Sequence, residues 1–133
     1  MGTRSLTVFI ESRTDHKTKL KKEEEIAVLY QQFDGFPDAF GKELKDFLRG
    51  KEIVNGYNDQ NIKNKDFNGM GNLAVQLIAE FADGITRFHL HPSGTRDTEE
   101  EFIYFIREKE GKPDLTCFDV HKHSFVSIPG GRI

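Results

Sequence analysis

The chain has 133 residues, a formal net charge of −3 and 36% hydrophobic residues, among them twelve phenylalanines. That length accommodates one domain, residues 1–133, around a phenylalanine-rich core, and the charge leaves no nucleic-acid footprint, since the one basic run, Lys17 to Lys22, is followed at once by Glu23-Glu24-Glu25. A lone cysteine excludes a disulfide framework, and no apolar stretch reaches membrane-spanning length, so the expectation is a soluble, cytoplasmic protein.

The N-terminus lacks the apolar core of a secretory leader, and Met1-Gly2 is not expected to be myristoylated because Leu6 stands where serine or threonine is required. Residues 4–11 alternate, with Leu6, Val8 and Ile10 on one face, and predict a strand. Residues 25–33, with Val28, Leu29 and Tyr30, predict its hairpin partner across a charged loop. Asp34-Gly35-Phe36-Pro37 breaks the strand, and Pro37 opens a helix in which Phe40, Leu44, Phe47 and Leu48 share a face up to Gly50. Residues 51–68 are asparagine-rich and aperiodic, which predicts a long functional or mobile loop. A second helix is predicted from Gly69 to Asp83 on the stripe Leu73, Ala74, Leu77, Ile78, Phe81.

The last third reads as strands. Thr86, Phe88 and Leu90 alternate with Arg87, His89 and His91; Phe102 to Ile106 has two apolar faces and suits a central strand; residues 115–120 and 124–128 suggest a final hairpin. The expected order is ββααβββ(β), an α+β fold with a mainly antiparallel sheet of about five or six strands and two helices on one face.

Two Gly-Thr-Arg triplets, Gly2-Thr3-Arg4 and Gly94-Thr95-Arg96, each set a permissive glycine and a hydroxyl beside a guanidinium. Each suits either an oxyanion or a turn in which the arginine pairs with Asp34, Asp97 or the Glu99-Glu100-Glu101 run. Asn68-Gly69-Met70-Gly71 places glycines at a helix start, where backbone N–H groups and the helix dipole favour an anion, or where the asparagine caps the helix and the glycines pack closely. Convergence of these segments would make a ligand site of Arg4, Asn68, Gly69, Gly71, Thr95 and Arg96.

His89 and His91 on one strand face, with Arg87, could offer two imidazoles to a divalent metal, and Cys117, Asp119, His121 and His123 form a second set of one parity that could complete the shell. His91-Pro92-Ser93 matches one His-x-Ser/Thr element of two-histidine phosphoesterases, but the second copy is missing. Cys117, beside Phe118, reads as a small buried residue rather than an activated thiolate, and no Gly-x-Ser-x-Gly elbow occurs.

Taken as an ordered set, Gly2-Thr3-Arg4-Ser5, Asp34-Gly35-Phe36-Pro37, Gly41-Lys42 with Leu44, Ile53-Val54-Asn55-Gly56, Asn68-Gly69-Met70-Gly71 with Leu73-Ala74, and His91-Pro92-Ser93-Gly94-Thr95-Arg96-Asp97 resemble a family of small uncharacterised proteins encoded by phages, prophages and other prokaryotic genomes. The resemblance spans roughly the first hundred residues and implies no activity, substrate or cofactor.

The functional expectation is a non-enzymatic binding module without a cofactor, taking a small anionic ligand such as a nucleotide or phosphate compound, or a protein partner, because donor-rich loops occur without a complete set of acid, base and nucleophile. The alternatives are a metal-dependent hydrolase built on His89 and His91, and an assembly protein that forms a homodimer through exposed Phe and Tyr at a sheet edge.

Overall fold

Residues 5–8 alternate small polar and apolar side chains before Phe9 and Ile10, yet all six are buried, because their strand lies mid-sheet with a layer of chain on each face. The computed structural model describes residues 2–133; Met1, and with it part of the Met1-Gly2 reading, lies outside the described residues. The strands of the main sheet are β1 (Ser5–Thr14), β2 (Lys21–Gln31), β5 (Phe88–His91), β6 (Phe102–Lys109), β7 (Lys112–Asp119) and β8 (Ser124–Val126), in the spatial order β5-β2-β1-β6-β7-β8. Neighbours are antiparallel except β1 and β6, which pair in parallel from Ser5 opposite Phe102 to Ile10 opposite Arg107. The fold is therefore α+β with a mostly antiparallel six-stranded sheet.

One sheet face carries the helices. A single π-helical turn, Pro37–Gly41, runs into α1 (Lys42–Leu48), and α3 (Gly69–Phe81) packs beside it through Met70, Leu73, Ala74 and Leu77. Phe9, Leu29, Tyr104, Ile106 and Cys117 face them from the sheet, and Phe40 stacks edge-on to Tyr104 and Phe81 at the centre. Gly41 lets the helical turn approach closely there: a β-carbon would lie 3.0 Å from Ile128 and 3.2 Å from the Tyr104 ring, so these neighbours would have to give by a few tenths of an ångström.

The opposite face buries Leu6, Val8, Ile10, Val28 and Ile103 without a helix. β5 and β6 run in the same direction with two strands between them, so residues 92–101 must return across the sheet. The helices occupy the other face, so this strap is what covers the second core.

Residues 51–68 depart from the predicted long loop. They hold β3 (Ile53–Val54), α2 (Asp59–Asn64) and β4 (Phe67–Asn68), with β3 and β4 paired in parallel. Helix α2 buries no residue, so it leaves no apolar periodicity to read; its start is fixed by a reciprocal cap between Asn58 and Asn61. The described residues thus hold three α-helices, besides the π-helical turn, rather than two.

Candidate functional site

Arg4 and Arg96 hold the strap at its two ends. The Arg4 Nε–H donates to the Glu99 carbonyl at 3.0 Å, its guanidinium lies 3.7 Å from the Glu99 carboxylate, and its backbone N–H donates to Glu101 at 3.1 Å. Arg96 donates to Glu25 of β2 at 2.6 Å, and the Gly94 N–H donates to the same carboxylate. Burial alone would raise the Glu25 carboxyl, but the Arg96 and Gly94 hydrogen bonds and the Arg96 charge outweigh it and hold it below its ordinary range. Thr95 closes the turn, its hydroxyl donating to the Pro92 carbonyl at 2.8 Å.

The three segments do not meet. Gly69 shares a cavity with Ile10 to Thr14, at the far end of β1 from Arg4, roughly 20 Å away along the strand. Gly69 has φ +83° and lets β4 turn directly into α3, while Gly71 has no neighbour that a β-carbon would meet, so neither glycine serves close packing. A two-residue strand, not a loop, precedes this helix start.

The histidine sets are also apart. His89 and His91 sit against Tyr30, each ring centroid 5.9 Å from it, on β5 at one edge of the sheet. Asp119 lies on β7, four strand spacings or about 19 Å across, where its carboxylate accepts from the Lys122 N–H in the turn that carries His121 and His123. Among the described residues no group of three His, Cys, Asp or Glu side chains is placed to hold a metal ion. Arg87 leaves the histidine face because β5 begins only at Phe88. Its guanidinium turns to the helical face, 5.2 to 5.3 Å over the rings of Phe40, Phe81 and Phe88, and pairs with Glu43 at 3.0 Å.

Asn68 leads to a cluster of oriented amides beside a second, smaller hollow. It does not cap α3; its Oδ1 accepts from the Gly56 N–H at 2.9 Å. Asn72 Oδ1 accepts from the Asn68 N–H at 2.9 Å and from Gln76 Nε2 at 2.8 Å, and Gln76 Nε2 also donates to the Asp66 carbonyl at 3.1 Å. Each amide is oriented by a backbone group that can only donate or only accept. What remains outward is therefore fixed: Asn68 Nδ2 and Asn72 Nδ2 as donors, Gln76 Oε1 as acceptor, none with a partner among the described residues.

These side chains line one wall of a hollow of about 370 Å³ between α2 and α3. Val54, Tyr57 and Ile62 supply apolar walls, Lys65 a cation, and Asp66 is tied by Asn61, Asn64 and the Glu52 N–H. Asn72, Gln76, Lys65 and Tyr57 are absent from the sequence-derived site. The available signal was the four-residue spacing of Asn68, Asn72 and Gln76, a polar stripe opposite the Leu73 and Leu77 stripe of the same helix.

No protein-family model, no curated protein and no solved structure matches the chain. No helix among the described residues is long and apolar enough to cross a membrane.

Proposed function

We propose that this chain is a non-enzymatic binding module whose ligand seats in the hollow between α2 and α3, where Asn68, Asn72, Gln76 and Lys65 contact its oxygens and Tyr57 and Ile62 cover its apolar part. One observation carries this reading: the outward amide atoms are oriented by internal hydrogen bonds before any ligand arrives, so binding orders little that is not already ordered. Two donors beside a lysine favour a ligand bearing carbonyl or anionic oxygens. The anion-clamp roles of Arg4, Thr95 and Arg96 receive no support from the geometry, since all three have structural partners in the strap.

The test is a titration of ¹⁵N-labelled protein with inorganic phosphate, AMP and a library of capped heptapeptides, following side-chain NH₂ resonances. The expected result is that at least one probe moves the Asn68 and Asn72 signals together, leaving the Arg4 and Arg96 Nε–H signals in place. Shifts confined to the strap, or none at millimolar probe, would overturn the reading.

A further inference from the structure

The hollow's hydrogen-bonding pattern narrows the ligand class, on the premise that the hollow is a binding site at all. Asn72 and Gln76 stand four positions apart on α3, a rise of about 6 Å. Their amides are joined head to tail, so together with Asn68 they leave two outward donors and one outward acceptor along the groove. A carboxylate or a fully ionised phosphate ester supplies acceptors only, and would leave Gln76 Oε1 unpaired against it once water is displaced. A nucleobase carries both kinds of group, but within a single ring that serves one rung.

An extended polypeptide carries carbonyl and N–H groups on the same side and repeats them every second residue, about 6.6 Å. That repeat keeps step with the 6 Å rungs over the length of the groove, and it offers acceptors to Asn68 and Asn72 and a donor to Gln76. Tyr57 and Ile62, 64% and 60% exposed, frame a space for one apolar side chain. Lys65, which makes no ion pair among the described residues, stands at the same wall. We propose that this groove docks an extended peptide segment of a partner protein, with an apolar side chain in the hollow and an acidic residue beside it meeting Lys65.

The experiment uses capped heptapeptides with a central Leu, Ile or Phe flanked by Asp/Glu or, for comparison, by Lys. Binding is followed by the Asn68 and Asn72 side-chain signals. The acidic set is expected to bind at least tenfold more tightly than the lysine set. In a scan of single N-methylations of the best binder, residues of one parity should lose at least tenfold, because each methyl points at the amide ladder, while the other parity loses less than twofold. Asn72→Asp keeps the Oδ1 acceptor for Asn68 and Gln76 but replaces the outward donor with an oxygen, so it should lose at least tenfold in peptide affinity with the melting temperature unchanged. Asn68→Asp serves in the same way if the first variant is unstable. Uniform losses along the methylation scan, or a preference for the lysine set, would overturn the peptide assignment. If AMP or phosphate moves the Asn68 and Asn72 signals and no peptide does, the peptide is wrong and the hollow remains a binding site. Silence from every probe removes both.

Discussion

Cys117 is 1% exposed on the helical side of β7, and its surroundings decide its chemistry. Burial pushes its thiol from an ordinary value near 9.0 up to about 12, with the Asp119 charge adding to the rise and the Tyr104 hydroxyl opposing it. A thiol of that kind stays protonated and is a poor nucleophile at neutral pH, in keeping with the sequence reading of a small buried residue beside Phe118. The unfolded chain ionises first, so this group's contribution is complete below about pH 9 and erodes as pH rises toward 12. Between pH 7 and pH 10 the wild type is expected to lose about 1.4 kcal/mol more than Cys117→Ala in urea unfolding. Equal alkaline losses in the two proteins would show that the thiol is not held this way. Burial also raises Tyr104, whose hydroxyl donates to the Gly35 carbonyl at 2.7 Å, which is why the comparison stops at pH 10.

The strap shows which elements the sequence discloses and which it conceals. Apolar alternation predicts β1, a β-rich run predicts β2, and two apolar faces predict the central β6, because each strand sets its side chains against a core. It does not disclose the bulge in β2, where Phe9 pairs with Ala27 but Ile10 pairs with Glu25. The extra residue, Ile26, packs toward the helical core, and Glu25 emerges on the opposite face to meet Arg96, 71 positions away. The acidic partners considered from sequence were Asp34, Asp97 and residues 99–101; Glu99 and Glu101 do meet Arg4, and local reading could not reach Glu25. Helix α2 escaped for a related reason: Asn58 and Asn61 cap it reciprocally, but it buries nothing, so it leaves no stripe. For the strap the expectation is that Arg96→Ala and Glu25→Gln each cost about 1 kcal/mol, the pair being partly exposed, and that the double variant costs little more than either. The Glu25 contribution is present above pH 4.5, its ordinary value, and is lost as pH falls through its depressed folded value. Additive losses in the double-mutant cycle would separate the two residues.

At the scale of the whole molecule the sheet divides two unequal cores. The helical side joins both helices α1 and α3 to β1, β2, β6 and β7, whereas the other side lies beneath a single length of irregular chain tied by two arginines. The α+β class and the antiparallel bulk of the sheet follow from element order and short loops. The parallel pairing of β1 with β6 does not, because it joins Ser5 to Phe102 across 97 positions and depends on how the strap returns. That asymmetry carries an energetic consequence: amides of β1 and β6 are bonded on both sides by other strands, while the strap is held at its start by the Glu25 side chain and gains main-chain bonds to the sheet only at Glu101, which donates to the Arg4 carbonyl at 2.9 Å and accepts from the Val120 N–H at 3.0 Å. Opening the strap therefore exposes little backbone and should precede global unfolding as a local event. In native-state hydrogen exchange the Gly94 N–H is expected to exchange with a low free energy that barely depends on denaturant. The Val8 and Ile106 amides should exchange only at the global value. Arg96→Ala should speed Gly94 at least fivefold and leave Ile106 changed only by the variant's loss of overall stability. If Gly94 and Ile106 merge on one denaturant-dependent isotherm, the strap and the sheet unfold as a unit, and the covered second core is as cooperative as the helical one.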